Sequence, residues 1–83
     1  MIALGEFIHV FRREFAPEVD DPLRPSTGLF DDLGLDSFDA FRMIIFLEDL
    51  ADVPFPPDEV PQMFSVGDAF RYYEALCAYV DGN

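Results

Sequence analysis

Seven prolines divide this chain, and their positions limit what it can fold into. Pro17, Pro22 and Pro25 fall in one cluster, and Pro54, Pro56, Pro57 and Pro61 in another. Proline lacks a backbone donor and disfavours helical geometry in the residue before it. The long helices are therefore expected in the three proline-free stretches, residues 1–16, 26–53 and 62–83. All three show helical periodicity and none shows the alternation of a half-buried strand. In the first, Leu4, Phe7, Ile8, Phe11 and Phe15 share one face, and Pro17 ends the run. In the last, Val66, Ala69, Phe70, Tyr73, Leu76, Cys77 and Val80 recur at helical spacing behind Ser65, a candidate N-cap with Asp68 three residues on.

The expected architecture is all-α, a single domain over residues 1–83 with helices at about 2–15, 37–51, 58–63 and 66–80. The helix at 58–63, "DEVPQM", is short because Pro61 limits it. Residues 16–28 form a long connection that crosses the domain instead of making a tight turn. Leu29, Phe30, Leu33 and Leu35 are expected to anchor its end in the core, with Gly34 at positive φ. The chain's 83 residues support one modest core, and a 51% hydrophobic content is enough to form it.

The middle stretch carries an unusual junction, "DDLGLDSFDAF" over residues 31–41. Four aspartates lead directly into the apolar run "MIIFLEDL". Asp36 is a good N-cap, and Asp39 stands where a capping box needs its partner. At about 100° per residue, Ala40, Met43, Ile44, Leu47, Leu50 and Ala51 gather into a core stripe. Phe38, Phe41 and Ile45 gather nearly opposite, flanked by Arg42, Glu48 and Asp49. A small bundle cannot bury both sides of one helix, so the second stripe is expected to face a partner.

The charge balance narrows the partner. Seventeen acids against five basic residues leave a net charge of −12. Such a chain repels nucleic acid and anionic lipid and attracts basic protein surfaces. Cys77 is the sole cysteine, so no internal disulfide can form. The opening residues lack the uninterrupted apolar stretch of a signal peptide, and no segment reaches the roughly 20 apolar residues of a membrane span. A cytoplasmic monomer is the expectation.

Ser37 is the candidate for chemistry. Nucleophilic catalysis needs a base and an oxyanion hole. The chain has one histidine, His9, in the first helix, where it reads as a surface residue, and no nucleophile elbow. "DDLGLDSFD" also lacks the spacing of a calcium loop. Two readings remain open: a plain helix-start residue, or an exposed hydroxyl that receives a phosphodiester, which the helix dipole favours.

The stretch resembles the attachment motif of acyl carrier proteins, D-x-L-G-x-D-S-L-D. The likeness continues in register through "LED", "VPFPPDEV" and "SVGDAFRYY", so that residues 30–73 match almost without interruption. The resemblance implies a right-handed four-helix bundle that catalyses nothing itself. It implies a 4′-phosphopantetheine arm on Ser37, transferred from coenzyme A by a phosphopantetheinyl transferase (a holo-synthase) that uses Mg²⁺. The arm's thiol carries acyl groups as thioesters to and from an acyl-loading ligase or acyltransferase and ketosynthase or condensing enzymes. The positions matching the family's docking surface are Asp36, Phe38, Asp39, Phe41, Ile45, Glu48 and Asp49.

Arg42 stands where the family commonly has an acid and is expected to pair with an acid on the partner. Phe38 and Phe41 replace smaller aliphatics, and Phe46 takes an often small position, where aromatic rings can fill a sheltering cavity. These departures point to a specialised fatty-acid, polyketide or lipopeptide pathway. An aminoacyl or peptidyl carrier would use the same arm, and an unmodified helical interaction module would use Ser37 only to start its helix.

Overall fold

A computed structural model describes residues 1–53 and 61–81, with only the backbone of Asp81. Among the described residues there are three helices: α1 (Leu4–Phe15), α2 (Ser37–Ala51) and α3 (Val66–Asp81). Residues 58–60 of the expected short helix lie outside the described residues, and 61–63, which are described, are not helical. No helix among the described residues is long and apolar enough to cross a membrane.

The helix ends follow local chemistry. α1 begins at Leu4, two residues later than expected, because Ala3 is in extended backbone at ψ 165°; ahead of it the Ile2 N–H donates to the Tyr73 hydroxyl at 2.8 Å. It stops at Phe15, one residue short of Ala16, whose position before Pro17 disfavours helical geometry. α2 ends at Ala51, capped by Asp52 in the left-handed region at φ 57°, with the Val53 N–H reaching back to Glu48 O at 3.1 Å. Pro54 follows immediately.

Phe7 and Phe11 from α1, Met43 and Leu47 from α2, and Val66, Ala69, Tyr72, Tyr73 and Leu76 from α3 form the core, closed by Leu23 and Leu29 from the connection. Aromatic rings run through it. Phe7 meets Phe70 edge-on at 5.1 Å and tilts against Tyr73 at 5.5 Å, and Phe15 meets Phe46 edge-on at 5.4 Å. Such pairs each contribute about 0.5–1.5 kcal/mol beyond burial.

The long connection crosses from α1 to the start of α3. Arg12 holds its first part by donating to the carbonyls of Val19 and Asp21. Further on, the Leu29 N–H donates to Phe64 O at 2.8 Å, Val66 N–H to Thr27 O at 3.0 Å and Gly67 N–H to Pro25 O at 2.8 Å. A Cβ on Gly67 would sit 3.0 Å from Pro25 O, so glycine permits this approach. Leu29 is buried and Leu33 and Leu35 partly so, but the expected anchor Phe30 is 38% exposed. Leu29 takes the core position, and its neighbour turns outward. Cys77, on the apolar stripe of α3, is half-buried.

Candidate functional site

The site begins at the loop that delivers α2. The Gly28 N–H donates to an Asp32 carboxylate oxygen at 2.6 Å, and Leu33 N–H donates to Gly28 O at 3.1 Å. Gly34 then takes φ +70°, where a side chain would be strained. The Leu35 N–H returns to Leu29 O at 3.1 Å. Since Leu29 is itself tied to Phe64, the entry to α2 is registered on the start of α3.

Asp36 caps α2 from extended backbone. Its Oδ1 accepts the Asp39 N–H at 2.9 Å, and Asp39 Oδ2 accepts the Asp36 N–H at 3.2 Å, the capping box expected from the spacing. Ser37 is the first helical residue and is exposed. Its hydroxyl takes no part in the cap, because the two aspartates complete it between them. Ser65 provides the contrast. It precedes α3, and its Oγ accepts the Asp68 N–H at 3.1 Å, so that hydroxyl is committed to the fold.

Asp68 closes that second box by accepting the N–H groups of Phe64 at 2.9 Å and Ser65 at 3.2 Å. The Phe64 bond first, then the Ser65 and Arg71 interactions, hold its carboxyl below the ordinary aspartate range against an opposing effect of burial.

Phe38, Phe41 and Ile45 are 70%, 63% and 45% exposed, so the connection does not fold back over them. Around this stripe stand the exposed Asp36 and Asp49, with Asp39 and Glu48 half-buried. Arg42 is held within the chain: its guanidinium bonds Asp39 at 3.0 Å, approaches Glu14 at 3.9 Å and stacks 5.3 Å from the Phe15 ring centre. It thereby joins α2 to α1, while keeping 44% of its side chain exposed.

Between α2 and residues 61–64 lies a pocket of about 270 Å³, walled by Leu29, Ala40, Met43 and Ile44 with Phe30 and Phe64 on its sides. The aromatic substitutions do not fill it. Phe46 packs on Phe15 at the other seam of α2. Sequence reasoning did not single out Phe64, which is 61% exposed. Its only local signal is a large apolar residue directly before the Ser65 cap.

No protein-family model matches the chain, and no solved structure matches it significantly. Curated proteins do. The chain is 36% identical over 53 residues to an acyl carrier protein of Clostridium acetobutylicum, covering 64% of this chain and 69% of that protein. It is 32% identical over 54 residues to an acyl carrier protein of a Sulfurovum species, covering 65% and 72%. With identity above 30% across more than two thirds of both relatives, the chain belongs to the acyl carrier protein family.

Proposed function

We propose that this protein carries acyl groups as thioesters on a 4′-phosphopantetheine arm joined to Ser37 Oγ. The observation that supports this most is the uncommitted hydroxyl at the first position of a 15-residue helix. A phosphodiester on that oxygen lies at the positive end of the helix dipole. The aspartates around it disfavour close contact between the anionic group and the protein surface, which leaves the arm free beyond its root. The arm supplies the thiol, and the residues of the chain position it.

Docking falls to the surface around Ser37. Phe38, Phe41 and Ile45 are apolar anchors, and Asp36, Asp39, Glu48 and Asp49 complement a basic patch on the phosphopantetheinyl transferase and on acyl-loading and condensing enzymes. Arg42 marks one edge, where its charge and its hold on Asp39 select among such partners. The 270 Å³ pocket beside α2 can shelter a short apolar cargo. The pathway is a specialised fatty-acid, polyketide or lipopeptide one, in keeping with the aromatic anchors.

Intact mass after incubation with a phosphopantetheinyl transferase, Mg²⁺ and coenzyme A tests the attachment. One phosphopantetheine should be gained by the wild type and none by Ser37→Ala. An unchanged wild-type mass, or a gain that persists in the variant, would refute the reading.

A further inference from the structure

The exposed face of α2 is acidic at both ends and carries a single basic residue between them, Arg42. Arg42 stands six residues after Asp36 and seven before Asp49. At the rise of an α-helix those separations are about 9 and about 10 Å along the axis. The order of charge along the face is acid, cation, acid.

The position of Arg42 around the helix decides what a partner meets. At about 100° per residue, Arg42 lies about 40° from Phe38 and about 60° from Ile45, whereas Asp39 lies about 100° and about 120° from them. Asp39 is also the less exposed of the pair, with 26% of its side chain accessible against 44% for Arg42. A surface laid on Phe38 and Ile45 therefore meets the guanidinium before the carboxylate. Glu14, the other nearby acid, belongs to α1, across the seam where Phe46 packs on Phe15.

The guanidinium is held in place without being used up. It stacks 5.3 Å from the Phe15 ring centre and bonds Asp39 at 3.0 Å. That bond is the one hydrogen bond it makes among the described residues, since Glu14 at 3.9 Å is beyond hydrogen-bond reach. The remaining N–H donors keep the planar fork that matches a carboxylate.

We infer that the partner of this face presents a carboxylate to Arg42, between basic groups that meet Asp36 and Asp49. The inference rests on the docking role proposed above and names the partner which that role selects: a basic patch interrupted by an acid. A uniformly basic partner sets a cation against Arg42 and is rejected by like-charge repulsion.

The test uses the Ser37→Ala protein, which cannot carry an arm at that position, so docking is read apart from attachment. Two synthetic amphipathic helical peptides of α2's length serve as probes. Both have a leucine face and lysines near each end, and they differ only in the central polar residue, glutamate in one and lysine in the other. The central place makes the match independent of the direction in which the peptide lies. Affinities come from NMR titrations that follow Phe38, Phe41 and Ile45 at physiological salt, where charges farther apart than about 8 Å are largely screened.

One exposed ion pair is worth about 1.4- to 5-fold in affinity, so replacing attraction by repulsion should favour the glutamate peptide by about 2- to 25-fold. That preference runs against the overall charge of −12, which favours the more basic peptide. Arg42→Glu should reverse it, and Arg42→Lys should keep its sign. An arginine that serves only to join α2 to α1 would lower the melting temperature when replaced and leave the preference unmoved. Equal affinities, or a preference that survives Arg42→Glu, would overturn the inference while leaving the docking role standing. If neither peptide moves the three signals, the docking role falls and this inference with it, whereas attachment is still judged by intact mass. Shifts of the same signals on raising the protein concentration without peptide would assign the face to a second copy of the chain and also overturn it.

Discussion

Asp36 performs two tasks that a pair of substitutions can separate. In the fold it accepts the Asp39 N–H at 2.9 Å and so satisfies one of the unpaired donors at the start of α2. In the proposed function its carboxylate stands beside Ser37 and helps recruit basic enzymes. Asp36→Ala removes both. Loss of such a cap costs about 1 kcal/mol, within a range of about 0.5–2. In a domain of this size each kcal/mol moves the melting temperature by about 4–8 °C. Asp36→Asn removes the charge alone, since asparagine caps about as well as aspartate. It loses a dipole interaction of about 0.3–1 kcal/mol, partly offset by relieving repulsion in a chain of net charge −12.

Thermal melts should therefore place Asp36→Asn closer to wild type than to Asp36→Ala. Arm transfer, followed by intact mass below both melting temperatures, should be slowed alike in the two variants, and its dependence on salt should flatten in both. If Asp36→Asn melts with Asp36→Ala, the charge and not the hydrogen bond stabilises the helix start. If it is modified as fast as wild type at low salt, the carboxylate recruits nothing.

Three further outcomes follow from other parts of the structure. Asp68 has a depressed pKa in the fold, so its contribution is present above the ordinary value of 3.8 and is lost as pH falls through the folded pKa; an acid titration of stability should lose part of its slope below pH 3.8 in Asp68→Asn, and an unchanged slope would contradict the assignment. Gly67→Ala gains about 1 kcal/mol of helix propensity but forces a methyl to 3.0 Å from Pro25 O, at an overpacking cost of about 1–3 kcal/mol; denaturant unfolding should show net destabilisation, and a gain in stability would mean that the connection yields easily. Phe38→Ser with Phe41→Ser should change stability by about 0.5 kcal/mol or less, since both rings are already largely exposed, while weakening capture by the transferase; a large loss of stability would show that the stripe packs within the chain.

What could be read from the sequence was what depends on neighbours a few residues apart. The Asp36–Asp39 and Ser65–Asp68 boxes each span three residues, and the positive φ at Gly34 belongs to a single one. The exposed face of α2 was legible because a helix has only one side to give to a small core. Pairings between distant segments were not. Nothing local to residues 25–29 announces that they run beside 64–67, and that pairing is what buries Leu29 and turns Phe30 outward. Tyr72 was missed for a related reason. It lies between Ala69 and Leu76 on a helical face broader than the stripe the spacing suggested, and its burial depends on what packs against that wider face.

The two serine junctions explain why one hydroxyl is free and the other is not. Ser65 stands three residues before Asp68, so it is the cap, and its oxygen is consumed by a backbone N–H. Ser37 stands two residues before Asp39, with Asp36 in the capping position, so the same kind of helix start leaves its oxygen facing solvent. A one-residue difference in register separates a structural serine from an available one. The carboxylates at 36 and 39 therefore do more than add charge. By bonding to each other's backbone they satisfy the helix start without Ser37, which makes the hydroxyl available to chemistry without weakening the helix that presents it.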